Sequence, residues 1–185
     1  MKKKNFFKLR DLVTASLFIA LSIVFTRMFS IKLSDTIRLS FGQTPIILAG
    51  ILLGPIWGLL VGMLSDVTGF LLAPLGAYIP GLTLVAGLVG FIPGIYKKYL
   101  FKNHIELAII VSVIVDMLIV NGLLATFFLS LVYSKRTFMA WFASRIWIEA
   151  IMVVVQSIVC TIIAKILIKN IFIENIQPLP EQTQN

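Results

Sequence analysis

The sequence predicts an all-α membrane protein: a compact bundle of six transmembrane helices with both termini in the cytoplasm. Three observations predict it. Of the 185 residues, 59% are hydrophobic and only 13% charged, against roughly 45–50% and about 25% in soluble domains, and mean hydropathy is +1.01. The apolar residues fall into long runs separated by short breaks rich in Gly, Pro or Lys, as membrane helices require. The basic residues collect beside alternate breaks, and positive charge beside a span marks the cytoplasmic side. A single membrane domain over residues 1–175 accounts for the chain, with 176–185 as a polar cytoplasmic tail expected to be disordered.

The first span is Leu12 to Phe29, preceded by Lys2, Lys3, Lys4, Lys8 and Arg10. Its apolar run is long and no small-residue cleavage site follows, so it reads as a retained helix rather than a removed signal. Its start is then cytoplasmic and Arg27 lies near the outer end. Residues 30–42 form an outer loop. The second run is short: Pro45 to Leu53 would cover only about 14 Å of a core roughly 30 Å thick. The segment Leu39 to Gln43 is therefore expected to enter the membrane as non-helical chain, with Thr44-Pro45 as a helix start. Non-helical backbone at that depth is tolerated only where it is buried in protein or lines a cavity.

Gly54-Pro55 makes a tight cytoplasmic turn into the third span, Ile56 to Leu72, which carries a Gly58/Gly62 pair for close helix packing and one acid, Asp66. An outer loop from Ala73 to Pro80 leads to the fourth span, Gly81 to about Ile95, with a second small pair at Ala86 and Gly90 and an expected end at Pro93-Gly94. Lys97, Lys98, Lys102 and His104 make a cytoplasmic loop. The fifth span, Ile105 to Leu131, contains Asp116 and Asn121. The sixth, Phe138 to Ile168, begins amphipathic at Trp141, Arg145, Trp147 and Glu149. With this topology ten basic residues fall inside and six outside, which favours cytoplasmic termini; the outside is nonetheless rich in arginine.

The net charge of +8 is accounted for by these flanking residues and does not point to nucleic acid. One cysteine, Cys160, and one histidine, His104, leave no intrachain disulfide and no thiolate metal cluster. No HExxH, Walker, GxSxG or CxxC motif is present, so neither a metal centre nor catalytic residues are predicted.

Arginine at the edge of a span is costly, and its planar fork suits carboxylates and phosphates. Arg27, Arg38 and Arg145 all map to the outer half and are candidate contacts for an anionic ligand. Snorkelling, or for Arg145 a pair with Glu149 one turn later, is the competing role. Asp66 is the candidate acid: a buried carboxylate can accept two parallel N–H bonds from an amidine-like ring edge such as a pterin. Asp116, deeper in its helix, is expected to serve helix–helix hydrogen bonding. Phe41 and Tyr78, on the outer loops, are stacking candidates. Gln43, at the end of the non-helical segment, and Trp141 complete the set. Ser16 and Ala20 form a small-xxx-small pair on the first helix that lets another helix approach.

The run IRLSFGQTPIILAGILLGPIWGLLVGMLSDVTGFLLAPLGAYIPGLTLVAGLVGFIPG, preceded by TRMFSIKL at Thr26–Leu33, resembles the folate-type substrate-binding subunits (S components) of energy-coupling-factor (ECF) vitamin transporters. The resemblance covers roughly Leu9 to Gly94, and the last two spans by hydropathy. It implies a six-helix bundle in the cell membrane that captures a vitamin from outside with high affinity, without catalysis of its own. It also implies partners: a transmembrane coupling subunit and two cytoplasmic ATPases. Ser16 and Ala20 match the family's AxxxA contact face, with a departure at the first position. No cofactor is implied beyond the bound ligand, folate or a reduced folate. Another vitamin (riboflavin, thiamine or pantothenate) is the first alternative, although three outer arginines argue against cationic thiamine. A small membrane enzyme using Asp66, Asp116 or Glu149, and a purely structural subunit, are remoter ones.

Overall fold

The computed structural model describes residues 9–28, 30–32, 38–74, 77–101, 104–132 and 138–174. Helix α1 spans Leu9–Arg27, α2 Gln43–Leu53, α3 Pro55–Leu72, α4 Pro80–Ile95, α5 Ile105–Val115, α6 Thr126–Val132 and α7 Phe138–Glu174; a short ribbon pairs β1 (Ile31–Lys32) with β2 (Arg38–Leu39). A π-helical stretch, Asp116–Ala125, joins α5 to α6 into one 28-residue crossing from Ile105 to Val132. Among the described residues five helices are long and apolar enough to cross a membrane, and Gln43–Leu53 is a shorter apolar one. The described helices thus make six passes through the bundle, with the start of α1 and the end of α7 on the same side.

The short second helix starts at Gln43, one residue before the expected Thr44-Pro45 start and well after Arg38; residues 40–42 approach it as irregular chain, and Leu39 belongs to β2. Helix α2 is buried on all sides from Thr44 to Ile51 and packs against α1, α3, α4 and α7. It is the centre of the bundle. Its end is set by Gly54, whose φ of 101° is accessible to glycine without a Cβ penalty, and Pro55 then opens α3 at the position where its missing N–H is not needed.

Helices α3 and α4 run antiparallel, and the two small pairs seen in the sequence meet along their seam. A Cβ at Gly58 would overlap the Gly90 carbonyl, one at Gly90 the Gly58 carbonyl, and one at Gly62 the Ala86 carbonyl. Such backbone-to-backbone contact is how small residues drive helix association where lipid supplies no hydrophobic force.

Two sequence expectations are corrected. Pro93-Gly94 does not end the fourth span: both residues are buried inside α4, and the chain continues as a π-helical turn over Tyr96–Leu100. The reason is packing, because Gly94 lies against the Pro55 backbone and the helix must carry through to make that contact. The sixth span is Phe138–Leu167, close to the expected Phe138 to Ile168, and its helix runs on to Glu174. Asp116 is fully buried, but among the described residues neither carboxylate oxygen has a hydrogen-bond partner on another helix or elsewhere. The helix–helix polar contacts nearby come from Asn121 and from Gln156 instead. The tail at 176–185 lies outside the described residues.

Candidate functional site

A cavity of about 290 Å³ opens at the end of the bundle where α1, α3 and α6 finish and α2, α4 and α7 begin. By the charge bias this is the outer end. Ser22 and Thr26 on α1 pack against the irregular chain before α2: Ser22 Oγ donates to the Gly42 carbonyl at 2.8 Å, and a Cβ at Gly42 would overlap the Thr26 hydroxyl. This packing places Arg27 at the cavity wall, over α3. A Cβ at Gly69 would sit 3.3 Å from Arg27 Nη2, so the glycine gives the guanidinium its room.

One turn before Gly69, Asp66 also lines the cavity. Its Oδ2 accepts the Thr83 hydroxyl of α4 at 2.7 Å, and the Thr83 oxygen lies 3.0 Å from the Tyr78 hydroxyl. This bond continues the α3/α4 seam, one turn above the Gly62/Ala86 contact. On the far wall Gln43 and Asn121 pair through their amides: Gln43 Nε2 donates to Asn121 Oδ1 at 2.9 Å and Asn121 Nδ2 to Gln43 Oε1 at 3.3 Å. Asn121 also donates to the Asp116 carbonyl at 3.0 Å. From α7, Arg145 and Glu149 face the cavity as a 3.2 Å ion pair. Ser65 lines it with a buried hydroxyl that has no hydrogen-bond partner among the described residues. The remaining lining is apolar, including Ile46, Val85, Val89, Met117, Ile148 and Met152.

Of the residues singled out in the sequence, the structure brings Arg27, Gln43, Asp66 and Arg145 to one cavity. Tyr78 stands outside it and half exposed, with its ring 5.1 Å from that of Phe70, but reaches Asp66 through Thr83. Phe41 is flanked by two lining residues, Ser40 and Gly42, without lining the cavity itself. Trp141 is buried one turn before Arg145 and off the cavity. Arg38 stands in β2, and its side chain lies outside the described residues. Ser16 and Ala20 are exposed on the outer face of α1, away from the cavity. Among the described residues no three His, Cys, Asp or Glu side chains converge as a metal site would need.

Sequence reasoning missed Thr83 and did not assign Asn121. The signal for Thr83 was present: if Ala86/Gly90 faces Gly58/Gly62 in antiparallel register, the residue three before Ala86 faces the one four after Gly62. The Asn121 role depends on the π-helical stretch, which nothing in the apolar run marks.

Comparison with known proteins decides the family. The sequence profile described as "ECF transporter, substrate-specific component" matches residues 10–164. The chain belongs to this family. It is therefore an integral membrane protein of a transport system and not an enzyme. It is 35% identical over 155 residues to a protein of Clostridium novyi (strain NT) named "Folate transporter FolT", covering 82% of this chain and 86% of that one. Among solved structures, the "Crystal structure of FolT bound with folic acid" superposes with a TM-score of 0.74 at 28% identity, covering 85% of this chain and 94% of that one. A second, titled "Structure and mechanism of the S component of a bacterial ECF transporter", gives a TM-score of 0.68 at 20% identity over 88% of this chain and 98% of that one. It shares the fold. This S component thus has the bundle architecture expected from its sequence.

Proposed function

We propose that this S component captures folate or a reduced folate from the outer face with high affinity, for import powered by ATP hydrolysis in partner subunits. The observation that carries the reading is that a cation and an anion on adjacent helices, Arg27 and Asp66, line one cavity. The ligand that suits them has a flat N–H-rich edge at one end and carboxylates at the other. Asp66, whose Oδ2 accepts the Thr83 hydroxyl, would accept the ring edge. Arg27 would take a ligand carboxylate through its fork. The relatives named for folate, and solved with folic acid, support the same ligand.

The size is compatible with part of the ligand being outside. Small-molecule sites run from roughly 300 to 1,000 Å³, and 290 Å³ lies at the lower edge. A ring would fill the cavity, and the glutamate tail would extend into the mouth near the chain before α2. Arg145 is pre-paired with Glu149 and contributes to the lining polarity rather than offering an open fork. Energy comes from outside the chain, because its sequence holds no nucleotide-binding motif. The exposed Ser16/Ala20 face of α1 is where a membrane coupling subunit would lie close, with two ATPases below it.

Equilibrium binding of radiolabelled folate to the purified protein tests the reading. Saturable binding is expected, weakened at least tenfold in Arg27→Ala and Asp66→Asn (the loss of one charge-assisted hydrogen bond is worth about 1.5–3 kcal/mol). Absence of saturable binding in the wild type, or unchanged affinity in both variants, overturns it. Mass spectrometry of the ligand that co-purifies from cells tells folate from any other anionic vitamin.

A further inference from the structure

A hydrogen-bonded chain runs from the cavity wall to the segment ahead of α4. The Thr83 hydroxyl donates to Asp66 Oδ2 at 2.7 Å and contacts the Tyr78 hydroxyl at 3.0 Å. A hydroxyl has a single proton to give. With the Thr83 proton directed at the carboxylate, the second contact has Tyr78 as its donor. The order is therefore Tyr78 to Thr83 to Asp66, and the charged acceptor at its end strengthens both bonds. Thr83 is 5% exposed, so bulk water does not compete at the centre of the chain. Tyr78 is 44% exposed, at the end of the chain away from the cavity. The three residues come from α3, from α4 and from the irregular segment between them, so the chain joins that segment to the seam of the two packed helices, beside the Phe70–Tyr78 ring contact.

The geometry points to Thr83 as a positioning residue for the ligand: its hydroxyl fixes the orientation of the Asp66 carboxylate in the cavity wall and, by taking the Tyr78 proton, ties the segment ahead of α4 to that carboxylate. The inference rests on the reading of Asp66 as the group that receives the ligand's N–H edge. A carboxylate held by one lone pair of Oδ2 presents Oδ1 and the remaining lone pair of Oδ2 in a fixed plane, which is what two parallel N–H donors require. A ligand meeting a carboxylate already oriented loses less in ordering it, so affinity rises without a new contact. The same bond makes the outer segment and the ligand-binding acid move together.

The test uses the full chain in detergent, with folate and its p-aminobenzoyl-glutamate fragment, which lacks the ring edge, as probes. Thr83→Val keeps the side-chain shape and removes the hydroxyl; it is expected to weaken folate binding about tenfold and to leave the fragment's affinity unchanged. Thr83→Ser restores the hydroxyl and is expected to bind folate nearly as the wild type does. Amide hydrogen exchange of residues 77–79 in ligand-free protein reads the tether without any ligand, and is expected to quicken in both Tyr78→Phe and Thr83→Val. Folate affinity unchanged in Thr83→Val while Asp66→Asn loses it overturns the role of Thr83 alone. Equal losses for folate and the fragment would mean general distortion and overturn it too. Folate affinity unchanged in Asp66→Asn overturns the reading of the acid and, with it, the positioning role, whereas quickened exchange in that case still upholds the tether.

Discussion

The contact between α3 and α4 predicts what an added methyl group does to this bundle. In Gly58→Ala the new Cβ would fall within the Gly90 carbonyl and 2.7 Å from the Gly50 Cα. Ordinary carbon contacts lie at about 3.5–4.0 Å, so α3 must draw back by about 1 Å from two neighbours at once. Both obstacles are backbone, and no rotamer change relieves them. Overpacking of this kind costs about 1–3 kcal/mol, offset in part by the helix propensity of Ala over Gly, about 1 kcal/mol. Because both obstacles are backbone, the cost is expected at the upper end of that range, which leaves a net loss of about 2 kcal/mol in reversible unfolding in bicelles. Gly90→Ala meets the Gly58 carbonyl from the other side, and the same separation relieves both. The double variant is therefore expected to lose less than the sum of the single losses, by about 1 kcal/mol. Because the Asp66–Thr83 bond lies further along this seam, folate affinity should fall with stability. Stability of Gly58→Ala equal to or above the wild type, or strict additivity in the double variant, would refute the seam as described.

Other outcomes follow from single features. Asp116 is buried with neither oxygen hydrogen-bonded among the described residues, so Asp116→Val is expected to be neutral or stabilising; a loss of about 1–3 kcal/mol on thermal unfolding would show that the carboxylate has a stabilising partner. Glu149→Gln releases Arg145 from its 3.2 Å pair and is expected to tighten folate binding several-fold and steepen its salt dependence, both read by isothermal titration; weaker binding would mean that Glu149 itself serves the ligand. Ala20→Trp enlarges an exposed position of α1 and is expected to leave folate binding intact while abolishing uptake by cells co-expressing the coupling subunit and ATPases. Loss of both would mean that the substitution distorts the cavity through Arg27's helix instead of blocking a partner contact.

The bundle was legible in the sequence because a bilayer leaves few choices. A chain this apolar must satisfy its backbone inside helices, and its breaks announce themselves as Gly-Pro or Lys clusters. Even the shortness of α2 could be counted from Pro45 to Leu53. The small pairs Gly58/Gly62 and Ala86/Gly90 marked two faces where another helix can come close, and the fold sets those faces against each other. Asp66, Arg27, Gln43 and Arg145 could be picked out because charge and polarity are conspicuous in such a chain.

What the sequence could not fix is which polar groups share a wall and which are already engaged. Arg145 looks the same in the sequence whether it faces a ligand or Glu149; the i,i+4 geometry on α7 engages it with Glu149. Thr83 is an unremarkable hydroxyl until the antiparallel register sets it 2.7 Å from Asp66. Pro93 reads as a helix end until Gly94 is seen against Pro55, where packing outweighs a missing hydrogen bond. Composition and spacing determine that helices form and which faces are small, because those depend on local backbone chemistry and on the surrounding lipid. Only the assembled bundle decides partners, because a hydrogen bond between residues far apart in the chain exists only once helix register brings donor and acceptor within about 3 Å.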